Sequence, residues 1–386
     1  MTRVVVIGSG IAGTAAALAA RSAGAEVVLV RGRPGATSLG SGALDGDAEL
    51  SDGASAVLEA LGGYVLGDVV LAATSGVLRT ARGRDRALLA LPEGGTVLVP
   101  QCDHPRWHAP TYARAWNASP LAHQRKLHFT AAKIPMLRTT EERSMGDVEL
   151  AMRFDDDARI AYAAERLREA LPSTGTVKAI ALPPWLGAER ARADVLSARV
   201  GVPCGEVLGD PAGPAGERFD ASRDRALEAA GVEVVTAWVT RVERQGGALL
   251  VHADGVAPLR GDTLILATGG VLSGGVVYSP SEAILSTAMP PNPRPIFTLP
   301  IDVDVRLGLD GKLLGMPGSM FGIAPESLAW PFSDEPALER VGILTDHDGR
   351  AAPGIFVAGD IVEGRRRTWL EALESGAHAG TLAAVG

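Results

Sequence analysis

The first residues that could do chemistry are three glycines near the start of the chain. Gly8, Gly10 and Gly13 form the pattern Gly-x-Gly-x-x-Gly between an apolar run and an alanine-rich segment. In this pattern the first glycine permits a tight turn, the second lets phosphate oxygens approach the backbone, and the third lets a helix pack against a strand. The pattern therefore predicts phosphate binding at a helix N-terminus, and a turn without a ligand is the alternative. The predicted contacts are Gly8, Gly10, Ile11, Ala12 and Gly13.

The next predicted strand, residues 26–30, ends at a basic residue where this fingerprint normally has an acid. A carboxylate at that position accepts hydrogen bonds from ribose hydroxyls, whereas the guanidinium of Arg31 can only donate them. Arg31 or Arg33 would suit a phosphate better. The sequence therefore leaves a mononucleotide and a dinucleotide both open as ligands. Two solvated loop arginines are the alternative.

Two later segments have the pattern of turns that lie beside a flavin. Residues 267–269 read Ala-Thr-Gly after a predicted strand, and residues 354–360 combine a strand with a Gly-Asp ending. In the two-domain flavoproteins that these segments resemble, the chain reverses beside the cofactor and the aspartate binds a ribityl hydroxyl. The helix that follows, capped by Thr368, would point its positive N-terminus at the flavin. The predicted cofactor residues are Ala267, Thr268, Gly269, Gly359, Asp360 and Thr368, and the cofactor is FAD or FMN.

A more specific resemblance lies in three short segments. Residues 37–45, Thr-Ser-Leu-Gly-Ser-Gly-Ala-Leu-Asp, resemble the Ser-Ser-Gly-x-Leu-Asp loop of the B subunit of anaerobic glycerol-3-phosphate dehydrogenases. Residues 272–275 resemble the Phe-Ser-Gly-Gly turn of that family, and residues 342–346 also fit it. The resemblance covers most of the chain except about residues 101–155.

This resemblance implies a function, partners and further site residues. In that family the protein is a flavin-bearing subunit that works with a catalytic flavoprotein subunit and an iron–sulfur subunit, and electrons pass toward quinone. A small anionic substrate is implied. Carried over by position, Ser38, Ser41 and Gly42 would line the flavin. The main chain near Val239 would contact an adenine, if the cofactor has one.

A run of three arginines follows the Gly-Asp segment. Arg365, Arg366 and Arg367 could hold an anionic substrate against the flavin, or they could lie at a docking or solvated surface. Glu371 and Glu374 could pair with them, since both lie on one face of the predicted helix. The sequence does not identify a proton-abstracting base or a nucleophile, so no catalytic residue is predicted.

Cysteine and histidine residues give a weaker signal. The only two cysteines, Cys102 and Cys204, stand too far apart in sequence to form a CxxC pair, so an iron–sulfur cluster would have to be held by a partner. Four histidines lie near Cys102 and could in principle bind a transition metal, but their spacing matches no standard pattern and no metal is predicted. They are His104, His108, His123 and His128.

Hydrophobic periodicity predicts alternating strands and helices along most of the chain. We predict strands at residues 4–7, 26–30, 177–182, 232–242, 248–252, 263–267 and 355–358, and helices at 11–23, 156–171, 188–198, 217–230 and 368–385. This order predicts an α/β, Rossmann-like FAD/NAD(P)-binding fold of the glutathione-reductase type with an inserted cap region. The predicted flavin domain comprises residues 1–100, 156–275 and 340–386. The predicted cap, which would bind the substrate or dock a partner, comprises residues 101–155 and 276–339.

Composition excludes several other classes of protein. The 386 residues are 46% hydrophobic with 47 glycines, which is typical of a packed α/β protein with many turns. A net charge of −8 argues against nonspecific binding of nucleic acid. Residues 263–281 are uncharged but contain four glycines, so a spanning helix is not predicted. No signal peptide is predicted, and we expect a cytoplasmic protein that reaches the membrane only peripherally, through partners.

Three functions remain open at this stage. The first is an electron-relaying flavin subunit of a glycerol-3-phosphate dehydrogenase-like complex. The second is a self-contained FAD oxidoreductase that acts on a small anionic hydroxy or amino acid. The third is a scaffold subunit that keeps the fold without catalysis.

Overall fold

The computed structural model describes residues 1–278, 297–309, 312–315 and 340–386. Much of the predicted cap segment 276–339 therefore lies outside the described residues. The β-strands are β1 (Arg3–Ile7), β2 (Glu26–Arg31), β3 (Ala43–Leu44), β4 (Tyr64–Ala72), β5 (Leu78–Asp85), β6 (Gly95–Gln101), β7 (Leu127–Lys133), β8 (Val177–Leu182), β9 (Cys204–Glu206), β10 (Glu233–Thr236), β11 (Val239–Gln245), β12 (Ala248–Ala253), β13 (Leu259–Gly261), β14 (Thr263–Leu266), β15 (Val277–Tyr278), β16 (Phe297–Thr298), β17 (Leu307–Leu309), β18 (Lys312–Gly315), β19 (Gly342–Ile343), β20 (Arg350–Ala352) and β21 (Ile355–Val357). The α-helices are α1 (Ile11–Ser22), α2 (Asp52–Leu61), α3 (Ala109–Asn117), α4 (Pro120–Gln124), α5 (Asp147–Phe154), α6 (Asp157–Ala170), α7 (Ala193–Val200), α8 (Pro214–Ala229) and α9 (Trp369–Val385).

The chain divides into two compact units. Unit 1 comprises Met1–Thr37, Gly46–Ala60 and Asp224–Gly386, and unit 2 comprises Ser38–Asp45 and Leu61–Arg223. These boundaries differ from the predicted ones, because residues 61–100 and 156–223 group with the predicted insertion 101–155.

Unit 1 is built on a six-stranded sheet in the order β10-β2-β1-β14-β21-β20. Strands β10, β2, β1, β14 and β21 are parallel, and β20 is antiparallel to β21. The central strand β1 is almost wholly apolar, and Val4, Val5 and Val6 are fully buried, as expected for a parallel sheet covered on both faces. An antiparallel three-stranded sheet, β11-β12-β13, precedes β14. This arrangement confirms the predicted α/β, Rossmann-like fold.

Helices α1 and α9 pack together at very short range within unit 1. A Cβ atom added to Gly376 would lie 2.2 Å from the carbonyl oxygen of Ala12, and one added to Gly380 would lie 2.2 Å from that of Ala16. The two glycines are four residues apart and so lie on one face of α9. Their missing side chains therefore allow the two helix backbones to touch.

Unit 2 contains a four-stranded parallel sheet in the order β7-β6-β8-β9 and a three-stranded antiparallel sheet in the order β3-β5-β4. The segment 101–155 supplies β7 and helices α3 to α5, so it is part of a regular sheet rather than a separate cap. Trp107, Trp116 and Phe129 of this segment are buried in the core. Its many polar residues hide this pattern in the sequence.

A buried ionic network also lies inside unit 2. The guanidinium of Arg218 donates from Nε to Asp85 Oδ2 at 2.6 Å and from Nη2 to Glu206 Oε2 at 2.7 Å. The backbone N–H of Leu186 donates to the second oxygen of Glu206. Burial raises the pKa of Glu206 to about 7, with Arg218 opposing the rise and Asp85 adding to it. One cation thus holds two carboxylates that are shielded from water.

Within the described residues, the structure has no helix that is both long enough and apolar enough to cross a membrane.

Candidate flavin site

Three turns that are far apart in sequence lie side by side at the carboxyl edge of the sheet of unit 1. They follow β1, β14 and β21. The backbone N–H of Ala267 donates to the carbonyl of Ile7 at 2.8 Å, and that of Ala358 donates to the carbonyl of Leu266 at 2.9 Å. Ligands of open α/β sheets bind at this edge. The structure therefore brings the three predicted cofactor segments together.

The glycines of the first turn have different surroundings. Gly8 has φ +111°, and a Cβ atom there would lie 2.2 Å from the carbonyl oxygen of Ala267. At Gly13 a Cβ atom would lie 1.9 Å from the carbonyl oxygen of Gly8. By contrast, a Cβ atom on Gly10 would meet only Thr37 Oγ1, at 3.4 Å. Gly8 and Gly13 are thus required by packing, whereas a Cβ atom at Gly10 would make one ordinary van der Waals contact.

Helix α1 begins directly after Gly10. Its N-cap, Gly10, has φ −68° and contributes no side-chain hydrogen bond. The N–H of Ile11 donates to the hydroxyl of Thr37 at 3.1 Å, and Ala12 and Gly13 follow in the first turn of the helix. Backbone N–H groups and the helix dipole favour an anion here. Thr37 adds a hydroxyl here. It lies in the loop 37–45 but was not predicted as a site residue.

The Ala267-Thr268-Gly269 turn is closed tightly on itself. Gly269 has φ +80°, and a Cβ atom on it would lie 2.1 Å from Ser273 Oγ. At Gly275 a Cβ atom would lie 1.8 Å from the carbonyl oxygen of Gly269. These contacts explain Gly269 and Gly275, since the chain reverses there with no room for a side chain at either position.

The Gly359-Asp360 segment packs against the first helix. A Cβ atom on Gly359 would lie 2.6 Å from Ala12 Cβ, and the N–H of Gly359 donates to Ser375 Oγ at 2.9 Å. Asp360 is half-buried. Burial raises the pKa of its carboxyl group, and the charge of Arg367 opposes that rise. A carboxylate is therefore held at the same edge as the turn of Gly8, Gly10 and Gly13, and its contact with a ribityl hydroxyl stays a prediction.

The three consecutive arginines have different surroundings. Arg365 is exposed, and Arg366 pairs with Asp47 at 2.6 Å. Arg367 is half-buried, and its Nη2 donates to the carbonyl of Val341 at 2.8 Å. A Cβ atom on Gly270 would lie 2.8 Å from Cζ of Arg367. Of the three, Arg367 lies against the candidate site.

Thr368 caps helix α9, as predicted, by accepting a hydrogen bond from the N–H of Glu371. The segment that begins at Gly46 lies against this helix end, because a Cβ atom on Gly46 would lie 2.3 Å from Thr368 Oγ1. Glu374 accepts hydrogen bonds from Ser51. This contact differs from the predicted pairing of Glu374 with the arginines.

Arg31 has an acidic partner in unit 1. Its Nη1 lies 3.0 Å from both carboxylate oxygens of Asp224, and its Nε donates to Thr236 Oγ1 at 3.2 Å. Arg33 lies over the ring of Trp238, with Cζ 4.5 Å from its centroid. The predicted phosphate role of these arginines stays a prediction. Sequence reasoning did not find Asp224, which is about 190 residues away from Arg31 in the chain.

The other predicted cofactor residues have well-defined places. Val239 is buried and opens β11, where it pairs with Ala253. Ser38, Ser41 and Gly42 belong to unit 2. The hydroxyl of Ser38 donates to Asp220 at 2.8 Å, and a Cβ atom on Gly42 would lie 3.0 Å from that of Asp85. Their predicted contact with the flavin stays a prediction.

Within the described residues, the two cysteines and the four histidines near Cys102 do not form a group of metal ligands. Burial raises the pKa of both thiols, Cys102 and Cys204, to about 12, so neither is a ready thiolate. His104 is buried, with Nε2 3.1 Å from the carbonyl oxygen of Met145. His108, His123 and His128 are exposed.

Comparison with known proteins agrees with this site. Residues 3–61 match the family described as FAD binding domain. The match includes the phosphate turn, α1 and β2, and it confirms the predicted flavin cofactor. It also supports the prediction of a flavin-dependent oxidoreductase. Among curated protein sequences, none matches this chain.

Solved structures of similar fold have low sequence identity to the chain. The GidA-related protein from Thermus thermophilus is 11% identical, with 98% of this chain and 96% of that chain covered and a TM-score of 0.34. Thioredoxin reductase from Lactococcus lactis is 12% identical, with 99% and 98% covered and a TM-score of 0.32. CtdE, solved in complex with FAD, is 10% identical, with 100% and 84% covered and a TM-score of 0.37. At these values the likenesses carry no argument about activity. The sheet and turns of unit 1, together with the match over residues 3–61, agree with a flavin cofactor.

Proposed function

We propose that this chain is a flavin-dependent oxidoreductase subunit that relays electrons from substrate oxidation to an iron–sulfur partner, in the manner of an anaerobic glycerol-3-phosphate dehydrogenase. The observation that carries the flavin part is that packing leaves no room for a side chain at Gly8 and Gly13, whereas a Cβ atom at Gly10 would make only one ordinary contact. A glycine that packing does not require, at the start of a helix, is best explained by a ligand that needs the backbone.

Each part of the proposed site has one physical task. The N–H groups at the start of α1 and the hydroxyl of Thr37 bind the phosphate groups. Asp360 accepts a hydrogen bond from the ribityl chain, and the N-terminus of α9 stabilises negative charge near the ring. When bound, the flavin supplies the capacity to accept and release electrons, which the side chains lack.

The relay role is supported by the sequence resemblance and by the cysteine count. Residues 37–45, 272–275 and 342–346 carry the resemblance to the B subunit family. The two cysteines are both buried thiols, too few for a cluster of four thiolate ligands. An electron acceptor of the iron–sulfur kind must therefore belong to another chain.

An anaerobic reduction experiment tests this role. The flavin-loaded chain is mixed with glycerol 3-phosphate, first alone and then with the catalytic subunit of an anaerobic glycerol-3-phosphate dehydrogenase, while the visible absorption of the oxidised flavin is followed. The relay proposal expects no bleaching by substrate alone and, when the catalytic subunit is added, bleaching larger than that of the catalytic subunit's own flavin measured separately. Chemical reduction by dithionite is the control that the flavin can be reduced. Rapid bleaching by substrate alone would instead make the chain a self-contained enzyme.

A further inference from the structure

A cavity of about 470 Å³ lies in unit 2. Pockets that bind small molecules usually have volumes of roughly 300–1,000 Å³. Most of the cavity wall is one face of α6, and the rest comes from α7 and from the segment between β7 and α5. The predicted cofactor residues do not line it. The cavity is therefore a candidate site that the proposed function does not use.

Arginine side chains supply most of the charge in the cavity wall. They are Arg138, Arg168 and Arg199, and all three are exposed. Within the described part of the chain, none of these three side chains pairs with a carboxylate. By contrast, Arg166, also on α6, pairs with Glu169 at 2.8 Å. Three guanidinium groups without a carboxylate partner among the described residues thus line one cavity.

The charge of the cavity favours an anion with more than one negative charge. Among the described residues that line the cavity, the one carboxylate is Glu165, which lies 3.6 Å from Arg166. Three arginines and one glutamate give the lining a net charge of about +2. A phosphate monoester carries about −1.5 to −2 charges at pH 7, and its oxygens fit the paired donors of a guanidinium. The lining therefore matches a phosphate monoester better than a single carboxylate.

The backbone that carries these arginines is held in place by packing and hydrogen bonds. Arg168 follows Leu167, which is fully buried in the core of unit 2. The N–H of Arg138 donates to Glu142 Oε2 at 2.6 Å, and its guanidinium lies 5.1 Å from the centroid of the Tyr162 ring. A ligand therefore meets arginines whose positions are largely set before it binds.

Three alanines of α6 supply the apolar part of the wall. They are Ala158, Ala161 and Ala164. Their short side chains leave room above the helix, and a phosphate group alone would fill only a small part of the cavity. The ligand that fits is therefore larger than phosphate and has an apolar part.

We propose that this cavity binds a phosphate monoester of a small organic molecule, with Arg138, Arg168 and Arg199 contacting the phosphate group. The inference goes beyond the proposed electron relay, because all the lining residues belong to unit 2 and the site requires no flavin.

Calorimetric titration of the purified full chain with phenyl phosphate tests this proposal. We expect saturable binding of one molecule in this cavity. Arg168→Gln and Arg199→Gln should each weaken that binding by about tenfold to a hundredfold, the loss typical of a hydrogen bond to a charged group. Arg168→Lys should weaken it less, since lysine keeps the charge but not the paired donors. The matched control is Arg114→Gln, which removes an exposed arginine of α3 that does not line the cavity.

A second titration at saturating FAD separates this site from the phosphate turn of unit 1, which is another place for the probe. Binding in the cavity should persist there with the same affinity. Displacement of all the bound probe by FAD would overturn the proposal and leave the flavin function intact.

Three further outcomes would also contradict the site. They are no saturable binding by the wild type, an equal loss of affinity in Arg114→Gln, and equally tight binding of benzyl alcohol, which lacks the phosphate group. A chain that binds phenyl phosphate as expected but takes up no flavin would keep this proposal and overturn the proposed function. Thermal unfolding of each variant shows whether it is folded.

Discussion

At the scale of single residues, two glycines of one turn should respond in opposite ways to the same substitution. Gly8→Ala forces a Cβ atom to within 2.2 Å of a carbonyl oxygen at φ +111°, so we expect a loss of about 2 kcal/mol or more in the free energy of unfolding. Gly10→Ala places its Cβ atom 3.4 Å from Thr37 Oγ1, an ordinary contact distance, so stability should change little.

The variant that loses little stability, Gly10→Ala, should nevertheless lose flavin affinity. Gly10→Ala adds a methyl group where we propose that a phosphate oxygen approaches the backbone, so it should weaken flavin binding by roughly tenfold or more. Chemical denaturation of the flavin-free chain and a flavin titration measure the two effects. Equal stability losses in both variants would contradict the distinction between a packing glycine and a binding glycine.

The buried carboxyl group of Glu206 should make stability depend on pH. Since folding raises its pKa to about 7 from 4.5, the folded chain binds more protons than the unfolded chain between those values. Its contribution to stability is therefore complete below about pH 4.5 and is lost as the pH rises toward 7, at most about 1.4 kcal/mol for each pH unit. Urea denaturation across this range should show a smaller fall for Glu206→Gln than for the wild type. An identical pH dependence in both would refute this assignment.

The site residues that could be predicted from the sequence are those whose role depends on their near neighbours in the chain. The glycine pattern could be predicted because the glycines for the turn, for the predicted phosphate contact and for the helix contact all lie within six residues. The contacts of Thr37 and Asp224 could not be predicted, because they depend on loops and helices that meet only after folding. Arg31 illustrates this limit. Its residue type could be interpreted from the sequence, but its partner Asp224 could not be identified there.

At the scale of elements, the contact between α1 and α9 should tolerate no added methyl group. Gly376→Ala improves helix propensity by about 1 kcal/mol, but its Cβ atom would lie 2.2 Å from the backbone oxygen of Ala12. A backbone atom cannot move aside cheaply, so we expect a net loss of about 1–3 kcal/mol in stability. His378→Ala, at an exposed position of the same helix, is the matched control. Greater stability of Gly376→Ala than of the wild type would contradict this packing.

Strong periodicity decided which elements could be predicted. The β1-α1-β2 unit, β8 and α9 were found nearly at their observed bounds, because buried parallel strands and their flanking helices have long apolar patterns. Strand β7 and helices α3 to α5 were missed, since their buried residues are isolated aromatics among polar neighbours. Sheet pairing, which joins β7 to β6 and β8, is nonlocal and leaves little trace in the sequence.

At the scale of the whole molecule, flavin binding should stabilise the folded chain. A ligand that binds only the native state adds about 2.7 kcal/mol at a hundredfold excess over its dissociation constant. We therefore expect FAD to raise the melting temperature of the wild type. The same FAD concentration should raise that of Gly10→Ala much less. A rise of equal size in both would show that the flavin binds elsewhere.

Two units of different architecture make up the chain, and the predicted cofactor residues are divided between them. The phosphate turn, the Ala267-Thr268-Gly269 turn and Asp360 belong to unit 1, whereas Ser38, Ser41 and Gly42 belong to unit 2. The overall fold class followed from the sequence alone. The division did not, because residues 38–45 leave the first βαβ segment to join strands that come later in the chain.

The most direct test of the central claim is the absorption spectrum of the purified chain, before and after incubation with FAD, followed by heat release and chromatography of the chromophore against FAD and FMN standards. We predict a flavin spectrum, and we predict that the released chromophore is FAD. A colourless protein that takes up no flavin would contradict the assignment of unit 1 as a flavin-binding unit.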